Sequence, residues 1–294
     1  MVEERILEFI HHPASGNFES LALEVFEDQF DRLAVLRSRC TALALCPATV
    51  KAWQQVPAIA ISATPASTRT KPGELELAAT RSVFTALLDR PATELVCLPS
   101  ALPSSLAAIQ AALWNLAPPG SLLQSEPRLD ARALRSWLGA RQRDGRSVAI
   151  VATEAGFSEL VAWLDRWALK FRVPAGSAAY LLGGFEAARP LEPSPDFFER
   201  VQTHLGVSRT SSRLVWCRAF ATPLAASCSV ARTAARESTL FDLPHWVRAA
   251  EDEDGVTLFD LACFELPARR LEVVEARVET GVQGSRLNLR RESD

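Results

Sequence analysis

Lysine is almost missing from this chain. Of 32 basic residues only Lys51, Lys71 and Lys170 are lysines, and the rest are arginines. Chemistry that needs a positioned amine therefore has few candidates. Histidine is scarce as well: His11 and His12 precede Pro13, while His204 and His245 stand alone. The six cysteines, Cys40, Cys46, Cys97, Cys217, Cys228 and Cys263, include no C-x-x-C pair, and none has a histidine at zinc-ligand spacing. They read as small buried hydrophobes of a reducing, cytoplasmic protein. No apolar run approaches the roughly 20 residues needed to span a bilayer. Glu3, Glu4 and Arg5 ahead of a short apolar patch exclude a signal peptide. No G-x-S-x-G occurs, so a serine-hydrolase elbow is absent. A net charge of −3 gives no general attraction to nucleic acid or an anionic membrane.

What is present is enough for a sizeable core: 294 residues, 48% hydrophobic and 23% charged, suit one large α/β domain or two ordinary ones. A helix starts at Asn17, whose side chain can cap exposed N–H groups. Phe18, Leu21, Val25, Phe26, Phe30, Leu33 and Leu36 form its apolar stripe. Ser62 to Gly73 is polar and rich in Pro, Thr and Ser, and reads as a loop. Helices and short apolar runs then alternate. Helices are expected over 75–88, 104–116, 131–143 and 158–171, with another opening at Ser194-Pro195. Strands are expected over 93–98, 121–124, 147–152, 178–182 and 214–219. That interleaving predicts a mostly parallel sheet covered by helices on both faces.

Beyond about residue 235 the runs 246–249, 256–261, 271–278 and 286–289 are short and strand-like, with a turn at Asp252 to Gly255. The expected division is an α/β core over 1–235 and a small antiparallel appendix over 236–294. Glu251 to Asp254 has the wrong ligand spacing for a calcium loop and reads as a solvated hairpin tip. Trp163 and Trp167, spaced i and i+4, fit helix packing or a partner contact.

Four blocks together carry a resemblance. They are Leu21 to Cys40, Trp53-Gln54-Gln55-Val56-Pro57-Ala58-Ile59, Leu181-Leu182-Gly183-Gly184-Phe185, and Phe259-Asp260-Leu261-Ala262. In this order they resemble the acyl-protein synthetases related to the LuxE component of bacterial luciferase systems. That family is a branch of the adenylate-forming ligases, alongside phenylacetate–CoA ligase-like proteins. The last three blocks are similar to the family's W-x-x-I-P-A-V, E-T-G-G-F-K-G-R and F-D-L-A-N segments. The resemblance implies the α/β architecture of the ligase N-terminal domain, and the short C-terminus is expected to leave no room for the mobile lid domain of full-length adenylate-forming ligases. It also implies a nucleotide pocket at Gly183, Gly184, Phe185, Arg218, Thr222 and Glu275, the last replacing a ribose-contacting aspartate.

The departures concern the ATP chemistry itself. The family's T-S-G-T-T-G-type phosphate loop corresponds here to Ser67-Thr68-Arg69-Thr70-Lys71-Pro72-Gly73. Ser67, Thr68, Thr70, Lys71 and Gly73 are the candidates for a vestigial anion site, and Pro72 removes one donor. A solvated surface loop is the plainer reading. The family's E-Y-G-M-T-E segment becomes Cys217-Arg218-Ala219-Phe220-Ala221-Thr222-Pro223: the aligned acid and aromatic are replaced by Cys217 and Arg218, and no carboxylate follows within several residues to meet magnesium. Cys263 lies in an apolar, strand-like context that favours burial over catalysis.

The resulting expectation is a catalytically degenerate LuxE-like protein with no catalytic residue, no metal site and no cofactor. Its role would be a scaffolding or regulatory subunit beside an acyl reductase, a transferase or an intact ligase homologue. Two alternatives stay open: an active ligase using ATP and magnesium to form an acyl-adenylate from a fatty or aryl acid, and a protein that binds an acyl chain or small molecule.

Overall fold

The structure, a computed structural model, describes residues 1–60, 73–88, 94–97, 107–124, 129–183, 196–217, 222–227, 238–253, 255–263, 268–271, 276–281 and 284–290. Its helices are α1 (Val2–His11), α2 (Phe18–Arg32), α3 (Ala34–Ala42), α4 (Glu74–Leu87), α5 (Ala107–Leu116), α6 (Ala131–Asp144), α7 (Glu154–Arg166) and α8 (Phe197–Leu205). The strands of the first half are β1 (Ile59–Ala60), β2 (Glu94–Cys97), β3 (Leu122–Leu123), β4 (Val148–Thr153) and β5 (Ala178–Gly183). Those of the second half are β6 (Ser212–Trp216), β7 (Leu224–Ser227), β8 (Ser238–Asp242), β9 (Val247–Asp252), β10 (Gly255–Asp260), β11 (Ala268–Leu271), β12 (Ala276–Gly281) and β13 (Gly284–Arg290).

The main sheet has nine strands in the order β12-β13-β8-β7-β6-β5-β4-β2-β3. From β3 to β6 neighbouring strands are parallel, and from β6 to β12 they are antiparallel. The expected α/β fold with a helix-flanked sheet is thus observed. Alternation along each strand shows why β4 and β5 are apolar without interruption. Val148, Ile150 and Ala152 enter one core with Ala179 and Leu181. Ala149 and Val151 face the opposite core with Tyr180 and Leu182. The first core is closed by Phe157, Leu160 and Leu164 of α7 and by Phe197, Val201 and Leu205 of α8. The second is closed by Phe84 of α4 and by Ile109 and Leu113 of α5. Each such side chain contributes about 1.5–3 kcal/mol when fully buried.

The strands after residue 235 divide between two sheets. β8, β12 and β13 extend the main sheet, whereas β9, β10 and β11 form a separate antiparallel sheet with β1 parallel at its edge. Val256 and Leu258 of β10 pack towards Leu287 and Leu289 of β13. On the other side of the small sheet, Phe259, Val247 and Ala268 meet α1 and α2 through Ile6, Phe9, Leu21 and Phe26.

Several boundaries differ from expectation for identifiable reasons. The stripe from Phe18 to Leu36 is broken at Leu33, whose backbone is extended (φ −104, ψ 105). There the Arg37 guanidinium donates to the carbonyls of Phe30 (3.1 Å) and Asp31, satisfying the end of α2 from the next helix. α7 starts at Glu154 because Thr153 Oγ1 accepts the Gly156 N–H at 3.2 Å. It stops before Ala168, which has φ +50. The run expected over 271–278 is two strands, β11 and β12. The N-terminal patch is a full helix that buries Ile6, Phe9 and Ile10. The expected cap at Asn17 is present, its Oδ1 accepting the Glu19 N–H at 2.8 Å.

Candidate functional site

The chain leaves β2, forms β3 outside it, and crosses back to β4. Connections therefore reverse direction between β2 and β4, and the crevice beyond the carboxyl ends of the parallel strands is where α/β sheets bind ligands. Thr153 ends β4, Gly183 ends β5, and Cys217 follows β6 at this same edge.

Gly183 is in register with Trp216, and its carbonyl accepts the Cys217 N–H at 3.0 Å. Cys217 thus sits directly beside Gly183. It is partly buried. Its thiol donates to the Val215 carbonyl at 3.2 Å. Desolvation pushes this thiol far above the usual range, against a smaller opposing effect from the Gly183 backbone. A protonated, soft sulfur is a poor ligand for a hard cation.

Thr222 is fully buried, and both its backbone N–H and its hydroxyl proton are already donated. Its N–H donates to Asp260 Oδ2 at 2.9 Å and its hydroxyl donates to Asp260 Oδ1 at 3.0 Å. The same hydroxyl oxygen accepts the Trp246 Nε1–H at 2.8 Å. Asp260 Oδ1 also takes the Ala262 N–H at 2.9 Å. Burial raises the Asp260 carboxyl above its ordinary range, and the Thr222 and Ala262 donors offset part of that rise. Asp260 and Trp246 did not enter the sequence-based site. The available signal was one carboxylate inside the apolar run Phe259 to Ala262, since a charge in such a run must be paired internally.

Gly73 precedes α4 with φ −71 and ψ 162, and Glu74 and Glu76 occupy the first helical turn. Those two carboxylates oppose an anion at this helix start. Ser67, Thr68, Thr70, Lys71, Gly184, Phe185, Arg218 and Glu275 lie outside the described residues. Cys263 is buried, with Arg269 Nη2 2.9 Å from its sulfur. Among the described residues, no group of three or more His, Cys, Asp or Glu side chains is placed to hold a metal ion.

Among the described residues, Cys217 offers a neutral thiol rather than a hard oxygen, and the buried Asp260 carboxylate and Thr222 hydroxyl bond one another.

Trp53 and Phe259, from two different sequence blocks, meet Phe18 in an edge-to-face trio with centroid separations of 5.8, 5.9 and 6.0 Å. The Trp53 N–H donates to Glu19 Oε1 at 2.7 Å. These blocks hold the N-terminal helices on the small sheet.

The thiols give a direct chemical check. Cys46 is also partly buried, but hydrogen bonding from Thr49 lowers its thiol pKa. Iodoacetamide labelling followed by peptide mass mapping is expected to modify Cys46 at least about tenfold faster than Cys217. Equal rates would show that Cys217 is not held protonated.

The sequence matches no protein-family profile and no curated protein. In fold, 86% of the chain superposes on 68% of 2-hydroxyisobutyryl-CoA ligase in an open conformation with 2-HIB-AMP and CoA, with TM-score 0.55 and 14% identity. The same ligase in its postadenylation state with R3-HIB-AMP gives TM-score 0.52 at 14% identity, covering 86% of this chain and 61% of that one. The chain thus spans about two thirds or less of the length of the ligase chains it matches. The mixed sheet, its flanking helices and the separate small sheet together make a fold similar to that of 2-hydroxyisobutyryl-CoA ligase.

Proposed function

We propose that this chain is a catalytically degenerate relative of the acyl-protein synthetases. In this reading it keeps the ligase fold without adenylating a carboxylic acid, and serves in the cytoplasm as a scaffolding or regulatory subunit of an acyl-activation or acyl-transfer complex. The observation that carries the reading is Cys217. A thiol held neutral lies at the end of β6, against Gly183, where the resemblance calls for the segment's first acid, and no carboxylate follows within several residues to bind magnesium. Thr222 supports it, because a side chain enclosed by Asp260 and Trp246 has no hydroxyl bond left for a phosphate. Gly73 adds to this, opening a helix whose first turn carries two acids.

Isothermal titration with ATP and magnesium is expected to give no saturable heat. Clear micromolar binding would overturn the reading. Pyrophosphate exchange over a panel of fatty and aromatic acids is expected to be silent, and exchange with any one of them would establish an active ligase instead.

A further inference from the structure

At the opposite edge of the parallel strands from the candidate site, the surface has a different character. α6, α7 and α8 all end there, and β4, β5 and β6 begin there. The packing is fixed by backbone and side-chain bonds. The Arg172 N–H donates to Gln142 Oε1 at 3.0 Å, the Phe171 N–H to the His204 carbonyl at 2.7 Å, and the Val173 N–H to the Leu205 carbonyl at 3.0 Å.

Trp167 stands on this edge with 63% of its surface exposed, although tryptophan is ordinarily among the more buried side chains. The Arg166 guanidinium lies 6.0 Å from its ring centroid. Arg143, Arg166, Lys170 and Arg172 are all exposed and make no ion pair among the described residues. The acids on the same edge are engaged within the protein. Asp165 is 2.9 Å from Arg200 and 2.7 Å from His204, and Asp144 lies 3.8 Å from Arg141. An acidic chain thus presents, at one edge, an exposed indole and four cations that make no ion pair among the described residues. Cations at helix C-termini complement the helix dipole, but that gives no reason to expose a tryptophan among them.

We infer that this edge docks an acidic segment of another protein, with Trp167 as the apolar anchor. Tryptophan and arginine are the residues that most often dominate interface energetics. The cations then set orientation and speed encounter with an acidic partner. A nucleic acid is disfavoured because the molecule carries net charge −3 and the patch offers few phosphate contacts. A second copy is disfavoured by symmetry. A two-fold contact through this patch would face these cations with themselves. The inference concerns a surface remote from Gly183 and Cys217, and holds whether or not ATP binds.

The test uses the full chain and a short synthetic peptide alternating Asp or Glu with Leu or Phe, measured by titration calorimetry. Saturable binding is expected, weakening as salt rises from about 50 to about 300 mM. Trp167→Ala is expected to weaken it at least about tenfold while leaving the melting temperature unchanged, because the side chain is exposed. The double substitution Arg166→Glu with Lys170→Glu is expected to abolish it. Absence of peptide binding, or binding unaltered by both variants, overturns the inference. So does tighter binding of a single-stranded oligonucleotide through the same residues, or self-association in sedimentation that Trp167→Ala removes.

Discussion

Replacing Asp260 with alanine is expected to cost about 3–5 kcal/mol of stability, a large share of what holds most domains folded. The side chain is fully buried and accepts the N–H groups of Thr222 and Ala262 as well as the Thr222 hydroxyl. Removing it orphans two backbone donors in a water-free site, each at about 1–3 kcal/mol, and leaves a void. It also unties the segment after β6 from the end of β10, so the joint between the two sheets should loosen first. Urea unfolding measures the loss, and a change below about 1 kcal/mol would refute the account. The group also sets a pH dependence. Its folded pKa is raised, so its stabilising contribution is complete below the ordinary carboxylate range. That contribution is lost as pH rises through the raised value. Asp260→Asn removes the titration, and the slope of stability against pH over that window should disappear with it.

The second large effect is expected at Glu94, at the opposite edge of the main sheet. Only 5% of its side chain is exposed, and it bridges Arg141 and Arg146, the latter at 2.8 Å. Arg141 is itself only 13% exposed. Glu94→Ala leaves that guanidinium the longer 3.8 Å contact with Asp144 in place of a buried partner, and is expected to destabilise by about 3–5 kcal/mol. The pair need not be favourable overall, since burying two charges costs solvation that their attraction only partly offsets. Glu94→Leu combined with Arg141→Leu is therefore expected to recover most of the loss. If the double variant is as unstable as Glu94→Ala, the destabilisation comes from packing and not from a stranded charge. Gly120 is part of the same arrangement. Its φ is +93, and a Cβ there would come within 3.1 Å of the Glu94 carboxylate. Its carbonyl accepts the Trp137 indole N–H at 2.7 Å.

The strands and helices of the first half were legible because each satisfies a local rule. β4 and β5 are unbroken apolar runs, as a strand covered on both faces requires. α2 has its cap at Asn17, and α6 ends at Gly145, whose φ is +69. The break at Leu33 was not legible, since the stripe of apolar residues runs through it. What interrupts it is the Arg37 side chain reaching back over seven residues. The placement of β8 beside β7, and of β13 beside β8, depends on pairings between distant segments, and local pattern carries no register across such distances.

The site was legible only as a list of residue types. The sequence brings Gly183 and Cys217 near one another through two strands of similar length, and the registered pair β5–β6 accounts for that. It contains nothing local to say that Thr222 belongs to Asp260, which lies 38 residues away. That partnership is a tertiary fact. It changes the meaning of Thr222 from a free hydroxyl beside a pocket to a member of an internal bond network.

Strand β13 lies between β8 and β12 and pairs with both. During synthesis, residues 238–242 leave the ribosome well before residues 284–290, so β8 must wait with one edge open. An open edge is a template for strands of any neighbouring chain. The nascent protein is therefore open to mispairing at β8 until residues 284–290 have emerged, and shielding that edge is the task its folding environment must perform.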